Sequence, residues 1–258
     1  MNGYNAIRVE FDSRILAYTK EKLILSCLGL YQLEHLMLNA HSHPPIPEVG
    51  TVKDYITIAR LNHSTKHLFI IPGALLAWLL RGEHASSIIL NIVYGLITAF
   101  CIASANYVIN EFLDREFDLH HPTKSNRTSV QRELNPRYIL LEWSLLVAAG
   151  LSAACLSSRL MLATGLLFAA QGVVYNVRPI RSKDKPFLDV ISESINNPLR
   201  LVIGWAMVDP TTLPPSSLIL AYWLGGAFLM AAKRLSEYRE ITASHGKNLL
   251  MRYRASFA

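Results

Sequence analysis

Six stretches of this chain are apolar over helical lengths, and polar residues gather very unevenly between them. The runs fall at 67–80, 88–109, 138–156, 160–177, 188–208 and 216–232. A helix that crosses a hydrocarbon core takes about twenty apolar residues, so the runs predict six membrane-spanning helices. The first is short and borrows residues from the 60–66 side. The stretch 23–33 has eleven uncharged residues between Lys22 and Glu34, too few to span. Together with its neighbours at 10–38 it predicts one or two amphipathic helices, lying on the membrane surface or against the core. No small-residue cleavage site follows it, so a signal peptide fits poorly. Prolines at 44, 45 and 47 then mark a linker. The expected division is a peripheral segment over 1–55 and an all-α membrane bundle over 56–258.

Charge placement supports the parse and orients it. The connections after the second, fourth and sixth runs carry five, four and six Lys/Arg, and those after the first, third and fifth carry one, one and none. Fifteen basic residues against two is the asymmetry of the positive-inside rule. The rich side is therefore expected to be cytoplasmic, with both termini there, in a multi-pass protein of the cell membrane. The formal net charge of +6 is spread over these loops rather than one tract, which argues against a nucleic-acid partner. Charged residues make up 17% of the chain, below the roughly 25% usual in soluble domains. Cys27, Cys101 and Cys155 form no short-spaced pair, so they are expected to be small buried hydrophobes.

Three of the basic connections also carry polar residues at helical spacing. Asn106, Asn110, Asp114 and Asp118 recur every fourth residue where the second run ends, so a helix puts them on one face. The fifth run carries Asp189, Glu193, Asn196 or Asn197, and Arg200. Lys233, Glu237 and Glu240 follow the sixth. Such side chains are expected to face the bundle interior, because lipid penalises each by about 2.5–3.5 kcal/mol.

Carboxylates and amides beside many cations suggest a ligand that satisfies both. Mg2+ is usually held by one or two carboxylates plus substrate phosphates, and Lys124, Arg127, Arg178, Arg181 and Lys183 suit phosphate oxygens. The apolar interior would hold the rest of a phosphorylated lipid. Each part also has a plainer reading. A solvated helix end explains Asp114 and Asp118 equally well, and Arg181 to Lys185 are also what orientation alone requires. His120 and His121 fit the interface better than a zinc site, and His41 and His43 fit the linker. The fifth-run stripe is the hardest to explain without a function.

The sequence Asn110-Glu-Phe-Leu-Asp114-Arg-Glu-Phe-Asp118, followed by Asn126-Arg127, resembles the first aspartate motif of the UbiA superfamily of intramembrane prenyltransferases. Tyr175-Asn-Val-Arg-Pro-Ile-Arg-Ser-Lys183 is similar to that family's tyrosine and basic loop. The stretch 60–66 looks like its basic entry to the first helix. The resemblance covers roughly 55–258. It implies a helical bundle around a cavity where Mg2+ and a prenyl diphosphate bind, with transfer of the prenyl group to an aromatic or other hydrophobic acceptor. Carried over, it implies metal ligation by Asn110, Asp114 and Asp118, with Glu237 and Glu240 standing where the second aspartate motif is absent. Asp114, Asp118, Lys124 and Arg127 are then implied in catalysis. Lys66, Tyr175, Arg178, Arg181, Lys183, Asp189, Glu193, Asn197, Arg200, Lys233 and Arg234 are implied in substrate binding.

The chain also departs from the motif. Glu111 replaces an aspartate and Thr128 a proline, while Lys233 and Arg234 enter the second motif's position. His121-Pro-Thr-Lys124 and Lys233-Arg-Leu-Ser-Glu237 resemble the branch that moves phosphoribose from its diphosphate to a polyprenyl phosphate, which is the alternative reaction. The family usually has eight or nine spans against six here. The expectation is a C-terminally short chain, either an inactive fragment or one whose cavity a partner chain completes. A transporter is the alternative from another class.

Overall fold

The computed structural model describes residues 48–60, 64–81, 87–119, 121 and 123–245. The expected amphipathic helices at 10–38, the 41–47 linker with His41 and His43, Cys27 and His120 lie outside the described residues, as do the side chains of Lys66 and Glu240.

Every apolar run is helical. A 3-10 helix, Ser64–Ile70, leads into α2, Ile71–Arg81, and α1, Val52–Ile58, precedes both. Pro72 sits in the first turn of α2, where its missing N–H needs no partner. Next come α3, Ile88–Leu113, and α4, Arg115–Asp118, and then α5, Thr128–Gln131. The bundle continues with α6, Pro136–Ser157, and α7, Arg159–Asn176. It closes with α8, Leu188–Ser194, α9, Asn196–Val208, and α10, Ser216–His245. Among the described residues, three segments are individually long and apolar enough to cross a membrane: Ile88–Leu113, Pro136–Ser157 and Ser216–Arg239. The fifth run is not one helix. It breaks between Ser194 and Asn196, just before Pro198, which has no N–H to continue a ladder.

The sequence leaves 112–137 as a polar loop, and the structure folds it. α4, a 3-10 turn at Lys124–Asn126 and α5 lead to a two-residue strand β2, Arg132–Glu133. β2 pairs in parallel with β1, Glu48–Val49, setting Glu48 opposite Arg132 and Val49 opposite Glu133. Ile58 and Ala59 pack with Val108, Leu134 and Ile139 beneath this cap.

α9 is the centre of the bundle. Every residue from Pro198 to Val208 is buried, as expected of a helix enclosed on all sides. It crosses α2 at bare backbone: a Cβ on Gly204 would lie 2.0 Å from the Ile70 carbonyl oxygen, and one on Gly73 2.0 Å from that of Leu201. Small residues allow such close approach between membrane helices. Ile102, Met161, Phe168 and Ile203 fill the space between α3, α7 and α9. Leu140, Leu145, Leu167, Leu224 and Phe228 point outward, as lipid-facing residues should. Cys101 and Cys155 are both free thiols. Cys155, expected to be buried, is exposed on α6, because an apolar side chain facing lipid need not be enclosed by protein.

Candidate active site

The four-residue stripe survives as one face. The N–H of Asp118 bonds the Asp114 carbonyl at 2.8 Å, and that of Asp114 bonds Asn110 at 3.0 Å. The ladder thus carries α3 into α4 without a turn away, and Asn106, Asn110, Asp114 and Asp118 line one cavity of about 170 Å³. At 1.5 Å per residue α3 is about 39 Å long against a hydrocarbon core of about 30 Å. The end bearing these residues can therefore stand clear of the lipid.

The loop after α7 closes over that face. Arg181 holds a left-handed backbone, φ 31°, a conformation costing an L-residue roughly 1–2 kcal/mol. Its guanidinium offsets this by bonding Asp114 Oδ1 at 2.9 Å, Asp184 Oδ2 at 2.8 Å and the Asn176 carbonyl at 3.1 Å. The Lys183 ammonium, 2% exposed, lies 2.5 Å from the same Asp114 oxygen and donates to Asn176 Oδ1 at 2.7 Å. Arg127 pairs with Asp118 Oδ2. Burial raises the Asp118 carboxyl above the ordinary carboxylate range, against the pull of Arg127. Beside them the His121 imidazole accepts the Thr123 and Lys124 N–H groups on Nδ1, at 3.1 and 3.3 Å. Burial, then the Lys124 charge, lower its pKa to about 4.

A second network ties three helices behind the cavity. The Tyr175 hydroxyl on α7 donates to Asp189 Oδ1 of α8 at 2.7 Å. Arg234 of α10 donates to Asp189 Oδ2 at 2.6 Å and to Glu237 Oε2 at 2.8 Å. Glu237 also lies 3.7 Å from Lys124.

Of the residues singled out by sequence, Lys124, Arg127, Tyr175, Arg181, Lys183, Glu193, Arg200, Lys233 and Arg234 join the four-residue stripe around the cavity. Arg178 lines a separate groove with Pro179 and Lys185. Of the two asparagines, Asn196 faces the cavity, whereas the Asn197 amide packs against Gly226 of α10. Asp189 and Glu237 stand behind the wall as partners of Arg234. Among the described residues no three His, Cys, Asp or Glu side chains form a group able to hold a metal. Asp114 and Asp118 each use one carboxylate oxygen on their cations, leaving the other for the one- or two-carboxylate mode usual for Mg2+.

Sequence reasoning missed Arg60, Tyr107, Asn176 and Asp184, which also line the cavity. Arg60 Nε bonds Glu111 Oε2 at 2.8 Å, and Glu111 accepts from Ser129 as well. The glutamate at the motif's second position thus turns away from the cavity to hold Arg60. A lone arginine at a basic helix entry carried no signal that separated it from Lys66.

A model of the UbiA prenyltransferase family matches residues 69–251. This chain belongs to that family. Among its relatives, the protoheme IX farnesyltransferase of Geobacillus thermodenitrificans is 30% identical over 176 residues, 65% of this chain and 55% of its own. The lycopene elongase/hydratase of Haloarcula japonica is 31% identical over 121 residues, 46% of this chain and 39% of its own. A UbiA homolog from Archaeoglobus fulgidus, solved bound to GPP and Mg2+, matches with a TM-score of 0.61 at 20% identity over 73% of this chain and 65% of that one. That likeness is one of fold. The chain spans 55% of the length of the first of these relatives. With its apolar helices, family membership makes it an integral membrane protein.

Proposed function

We propose that this chain is a Mg2+-dependent prenyltransferase of the UbiA type, moving a prenyl group from a prenyl diphosphate to a hydrophobic acceptor. The observation that carries the reading is charge. Eight cationic side chains line the cavity against four anionic ones, a surplus suited to a polyanion. Arg127, Arg181 and Lys183 already gather around Asp114 and Asp118, and diphosphate oxygens are better acceptors for them than a single carboxylate atom each. Asn110, Asp114 and Asp118 would hold Mg2+, which would neutralise the leaving diphosphate when bound.

In this reading the C–O bond to the diphosphate breaks and its electron pair leaves with the diphosphate. Arg181, Lys183 and Arg127 stabilise that charge as it develops. The acceptor forms the new bond to the freed carbon and loses a proton. The lipid tail has a place as well. An apolar groove of about 800 Å³, lined by Ile71, Leu75, Trp78, Ile92, Leu96 and Phe100, opens between α2 and α3. The surplus of basic residues on this side supports a cytoplasmic orientation for the cavity and for the C-terminus.

Phosphoribosyl transfer to a polyprenyl phosphate is the second reading. It is favoured by the polar floor of the cavity, where Asn106, Asn196 and Arg200 replace the apolar lining that a prenyl chain would prefer. Membership in a transferase family displaces the transporter alternative. The test is to incubate membranes bearing the protein with Mg2+ and either labelled prenyl diphosphate or labelled phosphoribosyl diphosphate, and then extract lipid. Label from the prenyl donor, lost on adding a chelator, is expected. Label entering only from the sugar donor reverses the order of the two readings, and none from either rejects both.

A further inference from the structure

The loop between α7 and α8 has two faces, and only the inner one serves the cavity. Arg181, Ser182 and Lys183 are buried. On either side of them stands a basic residue, a proline and a large apolar residue, as Arg178-Pro179-Ile180 and as Lys185-Pro186-Phe187. All six of these flanking residues are exposed. Arg178, Pro179, Ile180 and Lys185 line one open groove of about 550 Å³. Asp184 is the acid of that groove, and its carboxylate is engaged by Arg181 at 2.8 Å. Among the described residues neither Arg178 nor Lys185 has an ion-pair partner.

The apolar members are held outward at a cost. Phe187 is 85% exposed and its backbone is left-handed, φ 62°, a rare conformation for a bulky residue. Across it the Leu188 N–H bonds the Pro186 carbonyl at 2.7 Å, which makes a γ-turn of the strained kind. Ile180 is 49% exposed, and Leu188 and Ile191 continue the apolar edge along α8. In water, the strain and the bare ring would both be unfavourable. A membrane surface suits them, because aromatic rings settle at the level of lipid headgroups. Both triplets also stand where that surface must lie. Arg178 comes two positions after the end of α7, and Phe187 directly precedes α8, so each marks the mouth of an apolar run.

We propose that this outer face binds an anionic phospholipid, with Arg178 and Lys185 on the headgroup phosphate and Ile180 and Phe187 in the acyl boundary. The two cations can each take a phosphate oxygen, and basic clusters beside a span recognise anionic lipid. The site needs only the membrane location of the chain and is independent of the transferase reading. It gives the loop a second anchor. Lipid on the outer face and Asp114 on the inner face hold the same turn, so a bound lipid steadies Arg181 and Lys183 over the cavity.

The test is native mass spectrometry of the purified full chain in detergent, titrated with phosphatidylglycerol, phosphatidylcholine or glycerol 3-phosphate. Phosphatidylglycerol is expected to bind most tightly. Arg178→Gln combined with Lys185→Gln should weaken the first phosphatidylglycerol bound by roughly tenfold or more and leave phosphatidylcholine within about twofold. A control pair on other basic connections, Arg137→Gln with Arg239→Gln, removes the same charge and should cost less than about twofold. Phe187→Gly should weaken both lipids severalfold. Without added lipid it should melt at or above the wild-type temperature, since glycine relieves the left-handed backbone. The proposal is overturned if the Arg178 and Lys185 changes leave phosphatidylglycerol affinity as it was, or if the control pair lowers it equally, which would mean net charge alone. It is overturned too if glycerol 3-phosphate binds as tightly as the lipid, which makes this an ion site, or if Phe187→Gly melts several degrees lower, which makes the ring a packing residue. Inorganic diphosphate affinity should not respond to the Arg178 and Lys185 changes, and a parallel fall returns both residues to the substrate site and overturns the proposal. Absence of diphosphate binding by the wild type would instead sink the transferase reading and leave the lipid site standing.

Discussion

Arg181 and Asp114, 67 positions apart, meet at 2.9 Å, and Lys183 shares the same carboxylate oxygen. The contact joins the end of α3 to the loop after α7 and makes one site of two motifs. Asp114→Asn removes the charge around which both cations are arranged. The expected result is at least about a 100-fold loss of transfer rate, the scale of deleting one preorganised electrostatic group, with the protein still present in membranes. Labelled-donor incorporation per unit of protein measures it, and full activity in the variant would show that the pair is structural only.

Asp189 is the hinge of the network behind the cavity. It is buried and receives Tyr175 and Arg234 from two other helices. Asp189→Asn leaves Arg234 partly uncompensated, and breaking a buried pair costs about 3 kcal/mol. Tyr175→Phe loses the hydroxyl's bond to Asp189 and the longer one it accepts from Arg234, about 1–2 kcal/mol together. Unfolding in detergent should rank wild type above Tyr175→Phe and that above Asp189→Asn. Equal stability of all three would mean that α8 and α10 are held by packing instead.

Backbone contact between α2 and α9 predicts a steep response to a single methyl. Gly73→Ala or Gly204→Ala puts a carbon 2.0 Å from a carbonyl oxygen of the facing helix, which backbone cannot yield cheaply. A loss of about 1–3 kcal/mol is expected, the usual cost of overpacking. Gly225→Ala, with nothing within 4 Å, should melt at or slightly above the wild-type temperature, since alanine favours the helix. Thermal scans of the three variants decide it.

His121 predicts a pH dependence in the unliganded protein. Its folded pKa is about 4 and its unfolded value about 6.5. Between the two the unfolded chain binds the extra proton, so stability rises with pH there and is lost as pH falls from about 6.5 towards 4. His121→Asn keeps a short polar acceptor and removes the titration, so the variant's stability should fall less over that window. Parallel curves for variant and wild type would assign the acid sensitivity to other groups.

How much of this was legible beforehand depends on the distance over which each feature is specified. Six apolar runs become helices because lipid leaves a backbone no alternative to internal hydrogen bonds, and that constraint acts within each run. The stripe of Asn106, Asn110, Asp114 and Asp118 follows from the 3.6-residue period in the same way. Local pattern failed at 112–137, where a polar stretch reads as a loop until β1 arrives from outside the bundle to pair with β2. It failed again at 188–208, where composition predicts one helix and Pro198 makes two.

The sequence alone therefore determined the all-α membrane bundle, its family and the polar face that ends α3, since each is written in residues close together along the chain. Only the tertiary structure decided which cations share Asp114, that Asn196 rather than Asn197 faces the cavity, and that Glu111 holds Arg60. Those are contacts between distant segments. Their partners are chosen by helix rotation, by the glycine crossing of α2 with α9 and by the fold of the loop after α7, and no periodicity within one segment reports them.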